Sequence, residues 1–261
     1  MLTWIRALAV AMGRYSRIPM PGFGWNEKDM QYHMMFFPWV GGVISLCSLG
    51  GYFGLKTFLP GLSSFVVASL LTVIPLMITG GFHLDGFLDV QDARNSFQSR
   101  EKKLEILKDP HIGSFAVISL AIYGLLWMGG LVELLETKEF WALGGFFLSY
   151  PFVRAIAGIL AIVGKKARTS GMLVEEVNQT PRVVLVVLGC TILAIVLGEC
   201  VFLSPMVILF EILLILCFIW YYNRMCKREF GGVSGDTSGY FVVQLELLLL
   251  WLFFLSTRMC S

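Results

Sequence analysis

The sequence predicts an all-α, polytopic integral membrane protein. It forms one membrane-embedded domain over residues 1–261, with about seven transmembrane helices and an N-terminal interfacial or re-entrant helix. Three observations carry this prediction. Hydrophobic residues are 57% of the chain and charged residues 15%, with a mean hydropathy of +0.76, whereas soluble domains hold about 25% charged residues. Seven apolar runs approach the roughly 20 residues a helix needs to cross hydrocarbon. The basic residues, finally, are segregated to one side of the alternating loops.

The opening stretch, MLTWIRALAVAMG, is short and is interrupted by Arg6. It lacks the cleavage pattern of a secretory signal, so it reads as a helix at the interface. The spans follow at about 34–55, 62–81, 113–134, 140–163, 183–203, 206–222 and 240–256. The fifth and sixth are divided only by Ser204-Pro205 and read as a tight helical hairpin. Backbone groups in lipid must be satisfied within the segment, so runs this long favour helices over a barrel.

With the loops placed alternately, the basic residues from Arg6 to Lys28, Arg94 to Lys108, Lys165 to Arg182 and Arg224 to Arg228 share one side. Lys56, Lys138 and Arg258 lie opposite, and Arg154 falls inside a span. The positive-inside rule makes the first side cytoplasmic, with the N-terminus inside. The six cysteines form no CxxC pair and read as small apolar fillers rather than ligands. The long polar loops, about 82–112, 164–182 and 223–239, share the cytoplasmic side. That suits an enzyme on cytoplasmic substrates better than a transporter, whose site lies near the bilayer midplane. The lipid bilayer is the expected partner; no nucleic acid is expected, and homo-oligomerisation stays open.

The segment GGFHLDGFLDVQDARN, 80–95, follows the second apolar run. If that helix continues straight through residue 92, Asp85, Asp89 and Asp92 stand at i, i+4 and i+7 and share one face. Their mutual repulsion weakens the helix, and a divalent cation would reverse its sign; Mg²⁺ suits carboxylates and bridges to phosphate. A solvated helix end balanced by Arg94, Lys102 and Lys103 is the plain alternative. His83 lies off the acidic face.

A second cluster is GGVSGDTSGY, 231–240. A glycine-rich loop lets backbone N–H groups approach an anion, which makes Gly235 and Thr237 candidate substrate contacts. Asp236 would complete a metal site from another helix. No GK[ST] follows, so this is not a Walker A loop, and a plain flexible turn is the alternative. Glu246 lies deeper in the seventh span, where ionisable groups are functional candidates.

The third cluster is EILKDPHIGSF, 105–115, in which Lys108, Asp109 and His111 are candidate phosphate-side contacts or parts of an ordinary juxtamembrane loop. Arg154, in YPFVRA, either snorkels to the surface or binds phosphate in two-pronged fashion. Arg17, in SRIPMPG, stands beside two prolines as a substrate contact or part of a rigid turn. Acids, basic groups and a glycine loop on one face are the parts phosphoryl or nucleotidyl transfer needs. Nothing suggests a covalent intermediate.

GGFHLDGFLDVQDARNSF, EKKLEILKDPHIGSF and GDTSGY, with the early SRIPMP, resemble the cobalamin 5′-phosphate synthase (adenosylcobinamide-GDP ribazoletransferase) family over most of the chain. The resemblance implies a membrane enzyme of late cobalamin synthesis in a bacterial or archaeal cytoplasmic membrane. It would join α-ribazole or its 5′-phosphate to adenosylcobinamide-GDP, release GMP and require Mg²⁺. Carried over, Asp85, Asp89 and Asp92 would hold the metal, with Asp236 as a fourth carboxylate. The GMP charge would be met by Mg²⁺ and by Lys108 or Arg154.

Two departures touch local geometry: Ala93 stands where the family often has glycine, and Pro110-His111 where it often has Ser-Arg. A CDP-alcohol phosphotransferase would need DxxDGxxAR, whose glycine is missing from DVQDARNSF. An aromatic prenyltransferase would need two Asp-rich motifs, and a transporter more mid-depth ionisable groups than Arg154, Glu211 and Glu246.

Overall fold

A computed structural model of the chain describes residues 2–21, 27–169, 172–177 and 180–260. They form helices throughout. Helix α1 (Leu2–Tyr15) is too short to cross a bilayer. It packs its buried face, Ala7, Val10 and Ala11, near α2 (Glu27–Tyr32) and the following 3₁₀ turn His33–Phe36, while Trp4 and Ile5 stay exposed. The remaining helices are α3 (Phe37–Phe58), α4 (Ser64–Thr79), α5 (Phe82–Asn95), α6 (Arg100–Ile106), α7 (Ser114–Thr137), α8 (Phe140–Val163), α9 (Met172–Val177), α10 (Arg182–Glu199), α11 (Pro205–Met225) and α12 (Gly235–Cys260).

Among the described residues, six stretches are long and apolar enough to cross a membrane, and a seventh if the bent pair α4–α5 counts as one span. The expected multi-pass architecture is therefore what the chain adopts. Helices α8 and α12 are the buried centre, whereas α7 and α10 turn most of their apolar surface outward. Leu120, Ile122, Leu125, Leu193 and Leu197 are exposed on those faces, as suits lipid rather than water. The α3–α8 pair closes tightly because Gly41 packs on the backbone of Tyr150 and Pro151, with no space for a side chain. Ser204 caps α11 by accepting from the Val207 amide, which ends the α10–α11 hairpin turn cleanly.

The second span differs from its expectation in one respect. It does not run straight through residue 92: α4 ends at Thr79 and α5 departs at 92° to it. Gly80 and Gly81 have φ of 67° and 81°, a left-handed conformation that glycine adopts without strain. Arg17 fills the space beside Gly80, so a side chain there has nowhere to go. The Arg17 amide also donates to the Ile78 carbonyl at 2.7 Å, tying the N-terminal segment to the bend. Its three aspartates and an arginine suit α5 to the end of the bundle rather than to lipid, and the bend turns it away from the line of α4.

Candidate active site

The acids reach one place because two glycines let α5 and α12 touch. A Cβ on Gly86 would lie 2.9 Å from the Asp236 Cα, and one on Gly239 would lie 2.8 Å from the His83 carbonyl oxygen. Close approach of backbones is what glycine permits and any larger residue prevents. Asp85, exposed at the edge of α5, and Asp236 then line one cleft of about 330 Å³. Asp89, one turn further along and half-buried, is pushed up to about 7 by burial and by the charges of Asp85, Asp236 and Asp92. Asp85 and Asp92 on its own helix and Asp236 on α12 are thus close enough for their charges to act on it.

The 231–240 stretch is not a loop throughout, neither the glycine-rich anion loop read from the sequence nor the plain turn that was its alternative. Its last six residues are the first turns of α12. Ser234 and Thr237 cap each other: the Ser234 amide donates to Thr237 Oγ1 at 2.8 Å, and the Thr237 amide to Ser234 Oγ at 3.2 Å. This reciprocal cap starts the helix and so places Asp236 rigidly in its first turn. Thr237 is buried and also accepts from the Tyr222 hydroxyl; Gly235, by contrast, lines the cleft.

Asp92 has a different task from Asp85. Its Oδ2 accepts from the Gly113 amide at 2.6 Å and its Oδ1 from the Ala116 amide at 2.8 Å. Both oxygens are thus occupied by the start of α7, whose first amides have no partner within the helix. The acidic stripe divides accordingly: Asp85 lines the cleft, Asp92 anchors α7 to α5, and Asp89 lies between them on the helix.

Arg168 was not singled out from the sequence, where KKAR reads only as a cytoplasmic charge run. It lines the cleft with Asp85 and Asp236. Its position follows from a short pairing of two loops: the Val233 amide donates to the Lys165 carbonyl at 2.7 Å and the Ala167 amide to the Val233 carbonyl at 2.9 Å. Lys166 turns back to donate to the carbonyls of Ala161, Ile162 and Gly164 at the end of α8. Arg168 also donates to the Leu104 carbonyl.

The other candidates separate into three groups. Arg17 shares an open groove with Asp85 at the Gly80–Gly81 bend. Lys108, Asp109 and His111 are exposed and do not line the cleft; Asp109 accepts from the amide and the ring Nδ1 of His111, at 3.0 and 2.7 Å. Arg154 does not reach the cleft either. It is buried, pairs with Glu246 at 2.7 Å, and with His83 lines a separate, mostly apolar cavity deeper in the bundle.

As for a metal, the donor set is hard carboxylate oxygen, the kind Mg²⁺ prefers. Among the described residues no three such side chains close into a ligand group as they stand. Mg²⁺ characteristically takes only one or two protein carboxylates and completes its shell with water and substrate phosphate, so the Asp85 and Asp236 pair of the cleft fits it, with Asp89 one turn further along α5.

The family model described as cobalamin-5-phosphate synthase matches residues 7–254. Among curated proteins, an adenosylcobinamide-GDP ribazoletransferase of Lachnoclostridium phytofermentans is 38% identical over 253 residues, covering 95% of this chain and 92% of that protein. One of Halalkalibacterium halodurans with the same name is 33% identical, covering 89% of each chain. Another, of Clostridium botulinum, is 30% identical, covering 93% and 94%. No solved structure matches at a significant level. With an acid cleft held at the end of a helical membrane bundle and a match along almost its whole length, this chain belongs to the cobalamin-5-phosphate synthase family of transferases.

Proposed function

We propose that the protein transfers the cobinamide phosphate moiety of adenosylcobinamide-GDP to α-ribazole or its 5′-phosphate, at the cytoplasmic face of the membrane, releasing GMP. The observation that carries this reading is the cleft in which Asp85 and Asp236, from two helices, face Arg168. An acid pair beside a guanidinium suits a diphosphate: the acids hold a divalent cation, and the planar guanidinium grips phosphate oxygens. Mg²⁺, held by Asp85, Asp89 and Asp236, would supply charge neutralisation for the diphosphate.

The ribazole hydroxyl forms the new bond to the phosphorus that stays with cobinamide, and the bond from that phosphorus to GMP breaks. The hydroxyl proton passes to a carboxylate of the cluster. Arg168 meets the charge developing on the leaving phosphate, and the rigid first turn of α12 keeps Asp236 in place while it does so. Orientation and charge stabilisation of this kind account for most phosphoryl-transfer catalysis. Arg100, Lys102 and Lys103 of α6, the helix that precedes the cleft residue Leu107, support the cytoplasmic placement of the cleft.

The test is turnover by the full chain in mild detergent, given adenosylcobinamide-GDP and α-ribazole, with Mg²⁺ or with EDTA. Equal yields of GMP and completed corrinoid, lost in EDTA, are expected. No product from folded protein would overturn the reaction; CDP-alcohols and prenyl diphosphates would then be tried.

A further inference from the structure

The acid cleft has a wall that neither α5 nor α12 supplies. Leu173 and Val174 of α9 line it together with Asp85 and Asp236. Helix α9 (Met172–Val177) is only six residues long. Isolated helices shorter than about 12 residues are marginal in water, so whatever ties α9 down decides where this wall stands. It packs against α2 and α8, with Leu173 and Val177 buried.

Glu176 is the polar anchor of that packing. It is 6% exposed. Its Oε1 pairs with Arg14 Nη2 at 2.9 Å, and its Oε2 accepts from the Tyr15 hydroxyl at 3.2 Å. Both carboxylate oxygens are thereby engaged by the last turn of α1. The Tyr15 hydroxyl is itself held, 3.2 Å from His33 Nε2, and His33 Nδ1 lies 2.5 Å from the Met30 carbonyl oxygen. Polar groups linked in series in this way form a network that is rigid when its members are satisfied. A buried ion pair adds little stability over apolar packing of the same volume; its best-attested use is to fix register. The register fixed here is that of α9 on α1.

We propose that Glu176 is a positioning residue of the acid cleft: by gripping Arg14 and Tyr15 it sets how far the Leu173–Val174 wall stands from the acids, and so how closely the cleft fits the donor diphosphate. The identity of the occupant rests on the function proposed above; the grip on α9 does not. Neither the acids nor Arg168 lies on α9. A displaced wall therefore loses contact with the bound donor while the reacting groups stay in place, which raises KM and leaves kcat alone.

Hydrogen–deuterium exchange of the detergent-solubilised full chain reads the grip directly, because local opening sets how fast the amides of a helix exchange. In Glu176→Gln the amides of 172–177 should exchange about tenfold or more faster than in the parent, as the loss of a charged hydrogen-bond acceptor implies. The amides of α8 and α12 should not change. In turnover, the KM for adenosylcobinamide-GDP should rise about tenfold, the effect of a contact of methylene size, with kcat and the KM for α-ribazole unchanged. Val174→Ala, which thins the wall and leaves the grip, should raise the same KM without speeding the exchange of α9.

Tyr15→Phe keeps the ion pair and should give a smaller change in both readouts; it serves if Glu176→Gln does not fold. A purely structural Glu176 would lower kcat and the thermal midpoint together and leave KM alone, and that result would overturn the proposal. So would exchange of α9 equal to that of the parent, or faster exchange with an unchanged KM. Faster exchange of α9 in the variant of a parent that releases no GMP would uphold the grip and overturn the reaction instead.

Discussion

Gly86 lies so close to Asp236 that a Cβ on it would come within 2.9 Å of the aspartate's Cα and carbonyl oxygen. The cleft depends on this approach, because α5 carries Asp85 and Asp89 while α12 carries Asp236. Gly86→Ala is expected to push the helices apart. Forced overpacking costs about 1–3 kcal/mol, and the acids would separate by part of a methyl's width. Turnover should fall by about 100-fold, since small displacements of positioned groups are this damaging. The thermal midpoint should drop in parallel; unchanged turnover would show that the helices need not touch.

Asp89 and Asp92 stand three residues apart and should respond oppositely. Asp89→Asn removes a charge crowded by three others, so stability near neutral pH should hold or rise while activity falls about 100-fold or more. Asp92→Ala leaves the Gly113 and Ala116 amides without their acceptor. Hydrogen bonds to a charged group are worth about 1.5–3 kcal/mol, so its thermal midpoint should fall. Thermal denaturation alongside initial rates separates the two; equal loss of stability in both would remove the distinction.

The raised carboxyl of Asp89 sets a pH dependence in metal-free protein. Its folded value is about 7 against an ordinary 3.8, so the folded state binds this proton more tightly than the unfolded chain. Stability from this group is therefore full at low pH and declines as pH rises from about 4 to about 7, then levels off. In EDTA the thermal midpoint should follow that slope, and Asp89→Asn should flatten it. Mg²⁺ should raise the midpoint near pH 8 and do little near pH 5, because a ligand stabilises only the state it binds. Equal Mg²⁺ effects at both pH values would place the cation elsewhere.

Arg154 and Glu246 form a buried pair at 2.7 Å, with side chains 2% and 8% exposed. Removing one partner strands the other charge, at a cost of about 3–5 kcal/mol. Arg154→Met or Glu246→Leu alone should lower the thermal midpoint strongly, and the double variant should recover most of it. A double variant no more stable than either single one would show that the pair is not the source of the cost.

The spans and the acidic spacing of α5 were legible in the residues themselves. Hydrophobic length and charge asymmetry are local properties, and lipid imposes helices on any run that must satisfy its own backbone. The motifs that carried the family resemblance were likewise contiguous. The capped start of α12 was within reach too: Ser234 and Thr237 sit at the spacing of a reciprocal cap, but the glycines around them read as loop.

Sequence alone therefore determined that this is a multi-pass helical protein with its acids spaced along one stretch of helix, and which family it resembles. Tertiary structure decided what those acids do. The 92° bend at Gly80–Gly81 turned a continued span into an arm across the bundle. It thereby gave Asp92 to the amides of α7 and left Asp85 for the cleft. Arg168 reached the cleft only through the pairing of two loops distant in sequence, and Arg154 was drawn away from it by Glu246. Periodicity tells which residues share a helix face; which partner waits opposite that face depends on backbone direction and on hydrogen bonds closed between segments far apart in the chain, 92 residues for Arg154 and Glu246 and 161 for Tyr15 and Glu176.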